Sequence, residues 1–451
     1  MTDDLAARVQ GLLPQLRTDL EDLVRIESVS ADPARAGEVR RSAEAVAELF
    51  RAEGFDPVDI VAEEGGHPAV IARKAGPEGA PTVLLYAHHD VQPENDHADW
   101  DSPPFEPTER GGRLYGRGAA DDKAGIAAHL GAVRAFGDDL PVNVVLFVEG
   151  EEEIGSETLT ALLEKHHDAL ASDVIVIADS GNWGIGEPAL TTSLRGLARG
   201  YVEVRTLDHA VHSGMWGGLV PDALMTLTRL LATLYDDDGA LAVDGLVSGP
   251  AADVVYPEDR LRAESGIAEG VSWVGRGPAV ERLWTQPALT ITGIDAPKAE
   301  NASNTLTASA RAMLSLRVAP GDTAADAWAA LTRHLEAHVP WGAQLTVTLA
   351  DSGEPTVIDA TGPAYDAARA AFSEAWDGTA PVDMGVGGSI PFIAEFLEAF
   401  PQASVLVTGV EDPDTRAHGA NEGLHLAEFE RVVLAEALLL RNLGELGAVS
   451  R

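Results

Sequence analysis

Four apolar runs, each closing on polar residues, constrain this chain more than any other feature. They are PAVIAR (68–73), TVLLYAHHD (82–90), NVVLFVEGEEE (143–153) and VIVIADS (174–180). Short apolar runs with polar ends read as buried strands. Helical patterns lie between some of them, at 123–136 and 157–170. Two more precede them. One is an N-terminal amphipathic helix with Leu5, Val9, Leu12, Leu16, Leu20 and Val24 on one face; the other, at 35–53, stops at Gly54. Such alternation predicts an α/β fold with a mainly parallel sheet flanked by helices. Ligands gather at the carboxyl ends of parallel strands, and HHD, EGEEE and ADS fall there.

The pattern changes near residue 194. LARGYVEVR, PALTITGI, ARAMLSLRVAP and QLTVTLAD alternate like half-exposed strands, with a helix expected over 222–235. This predicts an inserted α+β lid or dimerisation domain over 194–352, between two parts of a catalytic domain at 1–193 and 353–451. The stretch 236–280 reads as an excursion of the insert. A helix at 363–376, the strand ASVLVTGV and a helix at 426–443 complete the first domain.

At 451 residues, two domains are the natural expectation. No apolar run is long enough to span a membrane. The N-terminus carries acids where a signal peptide carries bases, so a cytoplasmic location is expected. Against 72 acidic residues there are only 32 basic ones, a formal charge of −40 that argues against nucleic acid or anionic membrane as partner. The absence of cysteine removes thiolate ligands and nucleophiles. Any metal must therefore be held by His, Asp and Glu, which favours zinc, with manganese or cobalt as alternatives.

Each cluster has a plain alternative. His88 can be an ordinary strand-end histidine, but Asp90 two residues on suits a carboxylate that fixes its tautomer. His89, on the other side of the strand, reads as structural. Asp121 and Asp122 in GRGAADDKAG can cap the following helix, or Asp121 can offer one oxygen to each of two metals. The acids of GEEEIGSE can be a solvated face. They directly follow a wholly apolar strand, however, where one can bind metal and the next take a proton from water. His418, in a glycine-containing loop, has an exposed histidine as its alternative. Taken together, His88, Asp121, Glu153, Asp179 and His418 make two ligand sets around one shared carboxylate.

The strings LLYAHHDVQP, W-DSPPFEP from Trp100, LYGRGAADDKAG, EGEEEIGSE and IADS, in this order and followed by HGANE, resemble the carnosinase and cytosolic non-specific dipeptidase group. That group belongs to the two-metal superfamily of metallopeptidases that includes aminoacylase and glutamate carboxypeptidase. The resemblance covers essentially the whole chain. It implies His88 and Asp179 on one metal, Glu153 and His418 on the other, Asp121 between them followed by a cis peptide, Asp90 behind His88, and Glu152 as general base. Glu151 takes neither role. In HAVHSGMWGG, it implies that His212 reaches the partner subunit's active site in a homodimer. Asn304, Arg317, Gly388 and Ser389 match substrate-contacting positions, and a guanidinium at 317 suits a substrate carboxylate. Dipeptidase relatives often carry Arg two residues before the paired glycines. Here the residue is Gly385, a departure that bears on substrate preference.

The implied reaction is hydrolysis of the amide bond of a dipeptide, with Glu152 taking the proton of the attacking water. Within the superfamily, the alternative is N-acyl or N-carbamoyl amino acid cleavage. Outside it, the alternative is an acidic, non-catalytic ion-binding protein.

Overall fold

The computed structural model describes residues 2–250, 253–388 and 391–447. The chain divides into two compact units: one takes in the residues up to Thr192, 358–384 and the chain from Pro391, and the other comprises 193–357 and 385–390. The return of the chain to the second unit at 385 has no compositional signal in the sequence.

The central sheet of the first unit runs, from one edge, Val58–Val61, Ala69–Lys74, Asn143–Glu149, Thr82–His88, Val174–Ile177, Ser404–Val407 and Ala189–Leu194. Thr82–His88 pairs in parallel with Asn143–Glu149 and with Val174–Ile177, which pairs in parallel with Ser404–Val407. Ala69–Lys74 and Val58–Val61 join antiparallel at one edge. The register sets His88 opposite Glu149, so the loops after the parallel strands leave from one end of the sheet. These strands are valine-, isoleucine- and leucine-rich and almost fully buried, as strands covered on both faces must be.

Lys123–Phe136 is the most buried helix, flanked by Thr2–Val24 and Leu426–Leu446. Gly131 permits that approach, because a Cβ there would stand 2.7 Å from both Leu16 and Val433. The same helix buries His129, whose Nδ1 lies 2.6 Å from Glu436 and whose Nε2 lies 2.8 Å from the Tyr86 carbonyl. Burial alone would lower its pKa, but the Glu436 carboxylate reverses this and holds it above the ordinary imidazole value. The imidazolium's contribution is complete below the unfolded pKa and is lost as pH rises through the higher folded value. A His129→Ala chain leaves Glu436 buried without its partner, and thermal or denaturant unfolding is expected to show a loss of about 3–5 kcal/mol.

The second unit is an antiparallel sheet in the order Ala288–Asp295, Ser309–Val318, Gly196–Arg205, Gln344–Gly353. Its central strands alternate buried and more exposed residues, and one face packs on Ala223–Ala232 and Ala324–His338 through Val202, Leu227, Leu230, Leu314 and Leu331. Asp222 caps the first of these helices by accepting from Met225 N. The second helix was not expected, although Ala324, Ala327, Trp328, Leu331 and Leu335 lie at helical spacing and Thr323 caps it. The helix expected at 157–170 is two, Leu159–Lys165 and His167–Leu170. Among the described residues, no helix is long and apolar enough to cross a membrane.

Candidate metal centre

The strand-end loops of the first unit bring His88, Asp121, Glu152, Glu153, Asp179 and His418 together. His88 Nε2 lies 3.0 Å from Asp121 Oδ1 and 3.8 Å from Asp179 Oδ1. His418 Nε2 lies 3.0 Å from Asp121 Oδ2 and 3.3 Å from Glu153 Oε2. The two oxygens of Asp121 thus face two histidines from loops more than 300 positions apart. Donor atoms of His88, Asp121 and Glu153 lie within 4.8 Å of one another, as do those of His88, Glu152 and Asp179. The Asp121–Asp122 peptide is cis.

His88 Nδ1 is 3.0 Å from the Asp90 carbonyl and 3.4 Å from its carboxylate. The nearer partner is therefore the backbone oxygen, and a proton held at Nδ1 leaves Nε2 as the ligand atom. Asp90 Oδ2 also accepts from Glu153 N at 3.2 Å. His89 turns away, its Nε2 2.7 Å from the Pro68 carbonyl, and burial lowers its pKa to about 4. Asp122 stands at the N-cap position of the helix but makes no side-chain cap bond there; its Oδ2 accepts from His88 N at 3.2 Å instead. Glu151 accepts from His67 N at 2.9 Å and from the Thr158 hydroxyl at 2.5 Å, so it braces the loop.

Electrostatics mark the cluster as short of positive charge. Burial pushes Glu152 well above the ordinary carboxylate range, helped by the Asp179 charge. Burial and Asp121 push Glu153 up to about 8. Burial also raises Glu411, with Asp121 and Asp179 adding to it, and one of its oxygens has no hydrogen-bond partner among the described residues. Asp121 goes the other way, because hydrogen bonds from His418 and His88 outweigh its burial. His418 is raised to about 9, first by its hydrogen bond to Asp121. Protons fill the positions where a cation would neutralise the same charges. Imidazole and carboxylate donors without thiolate suit zinc, manganese or cobalt. The residues fit such ions.

Three participants escaped sequence reasoning. Gln92 donates to both Glu153 oxygens, from its backbone N at 2.9 Å and from its side chain at 2.7 Å. Arg117 and Glu422 pair at 2.6 Å beneath the Asp121 loop. Each lies inside a string already singled out, LLYAHHDVQP, LYGRGAADDKAG and HGANE, and that membership was the available signal.

The remaining expected residues lie in the second unit. His212 is exposed, and its Nδ1 accepts from Gly214 N at 3.0 Å. Asn304 lies beside it, its carbonyl accepting from Ser213 N at 2.9 Å. Arg317 lies near the far end of the strand Ser309–Val318, eight positions and about 27 Å of extended chain from Ser309. Near Arg317 stands Arg195, whose Nε donates to the Gly387 carbonyl at 3.3 Å and whose Nη1 donates to those of Arg282 and Gln286 at 3.2 Å. Burial and then Arg317 lower Arg195 to about 10. A Cβ at Gly387 would meet Arg195 Nη2 at 2.7 Å, and one at Gly385 would meet Trp284 at 2.6 Å, so side chains already claim both places. Gly388 has open space around it. Ser389 lies outside the described residues.

This fold and this cluster define a peptidase class. Residues 84–442 match the model of peptidase family M20/M25/M40. The chain belongs to that family, and it is a hydrolase acting on peptide bonds. It is 36% identical over 374 residues to the cysteinylglycine-S-conjugate dipeptidase of Corynebacterium striatum, covering 81% of this chain and 82% of that protein. It is 31% identical over 435 residues to the Beta-Ala-His dipeptidase of Rattus norvegicus, covering 90% and 88%. Human carnosine dipeptidase 1 superimposes with a TM-score of 0.82 at 27% identity, covering 98% of this chain and 99% of that one. A di-peptidase of Saccharomyces cerevisiae also superimposes with 0.82 at 26% identity, covering 99% of both chains.

Proposed function

We propose that the cluster holds two divalent metal ions and that the protein, as a homodimer, hydrolyses the amide bond of dipeptides or similar small peptides. The observation that carries this reading is the Asp121 carboxylate, with one oxygen 3.0 Å from His88 and the other 3.0 Å from His418. His88 and Asp179 would hold one ion, Glu153 and His418 the other, and Asp121 both. When bound, such ions supply a water of lowered pKa and polarise the scissile carbonyl.

Glu152, half-buried beside Asp179, accepts a proton from the attacking water and returns it to the leaving amine nitrogen. A donor atom of Glu152 lies within 4.8 Å of donor atoms of His88 and Asp179, which puts it beside the proposed ions. Asp90 and its carbonyl hold His88 in orientation. Arg317, with Arg195 close by and no ion-pair partner among the described residues, binds the substrate's carboxylate. Gly388 and Ser389 contribute loop contacts. His212 and Asn304 act on the site of the partner subunit.

Dialysis against a strong chelator is expected to abolish dipeptide cleavage, and added zinc to restore it. Full activity in protein shown to be metal-free would overturn the reading. A preference for N-acyl or N-carbamoyl amino acids over a dipeptide panel would move the substrate to the neighbouring reaction of the superfamily. Ion binding without any amide cleavage would leave the non-catalytic alternative.

A further inference from the structure

Beneath the cluster, a buried ion pair joins the loop that carries Asp121 to the loop that carries His418. Glu422 is fully buried, and each of its oxygens accepts twice. Oε2 takes Arg117 Nη1 at 2.6 Å and Gly118 N at 3.1 Å; Oε1 takes Ala120 N at 3.0 Å and Asp121 N at 3.1 Å. One carboxylate thereby gathers the backbone leading into Asp121. Arg117, 1% exposed, uses Nη2 to reach the carbonyls of Gly419 at 3.1 Å and Pro93 at 3.3 Å. Those residues directly follow His418 and Gln92, and Gln92 is the residue that holds Glu153.

The backbone around His418 needs such support. Arg416, His418 and Asn421 have φ of +58°, +62° and +60°, a region residues with side chains seldom adopt. Such conformations persist where the surroundings over-determine them. Asn421 ties the loop outward by accepting from Asp101 N and donating to the Asp99 carbonyl. The Arg117–Glu422 pair ties it inward. A buried ion pair is a weak source of stability, since desolvation offsets its attraction. Its effect here is geometric: it sets the distance between two loops.

We propose that Arg117 and Glu422 are positioning residues that fix Asp121 relative to His418, and so govern how tightly the ion on the Glu153–His418 side is held. This rests on the two-ion reading above.

Zinc affinities of both ions are measured by chelator competition on the full chain. Glu422→Gln, which keeps the shape and loses the charge, is expected to weaken one ion by about 10–100-fold and leave the other within about threefold. At saturating zinc, KM for a dipeptide stays at the wild-type value. If that variant does not fold, Arg117→Lys keeps the charge but not the two-sided reach, and the same one-ion weakening is expected. Wild-type affinity for both ions in a folded variant overturns the proposal. So does equal weakening of both, which a merely structural role would produce. A wild-type chain that binds fewer than two ions overturns the two-ion reading itself, and this one with it.

Discussion

Replacing Glu152 by Gln is expected to slow turnover by about 10²–10⁴-fold while the protein keeps its full complement of metal. The amide matches the carboxylate in shape, so the half-buried position beside Asp179 stays filled, but it cannot take a proton from water. The lost interaction is made only in the transition state, so kcat and kcat/KM should fall together with little change in KM. Elemental analysis of the purified variant separates this outcome from simple metal loss. Wild-type turnover with both ions present would remove Glu152 from the chemistry.

Mixing two nearly inactive chains is expected to restore about one quarter of wild-type activity. The chains are Glu152→Gln and His212→Ala, and the recovery follows if His212 serves the site of the other subunit in a two-fold dimer. Half of randomly reassorted dimers pair one chain of each kind. In these, one site carries both defects, and the other has an intact Glu152 together with an intact His212. The structure motivates the test: the His212 side chain is exposed, and its Nδ1 accepts from Gly214 N. The measurement is activity against mixing ratio after dissociation and reassociation. No recovery, with dimers shown to have exchanged, rules out action across subunits.

Local patterns made part of this molecule legible in its sequence. The run TVLLYAHHD announces a buried strand and the polar residues at its end by composition alone, because an apolar stretch bounded by charges has few other ways to fold. The same holds for NVVLFV before GEEE. Long-range pairings carry no such signal. Glu422 meets Arg117 across 305 positions, and Glu153 meets Gln92 across 61. Nothing in the residue types near either end specifies the other. Gly387 illustrates the same limit differently. A glycine in a loop invites the thought of a ligand approaching its backbone, whereas the group lying against it is Arg195, 192 positions earlier. The helix Ala324–His338 was legible by its spacing, but it lies among alternating segments whose strand pattern dominates that region.

The sheet pairs Val174–Ile177 with Ser404–Val407, and His418 belongs to the loop that follows. A growing chain therefore makes the strand bearing His88 long before it makes the last histidine of the cluster, and the whole second unit emerges in between. The entropy of closing so long a loop rises only logarithmically with its length, which makes this a tolerable place to house an independent unit. Its effect on biogenesis is one of timing: the cluster of His88, Asp121 and His418 cannot be complete on the ribosome until synthesis has passed residue 418.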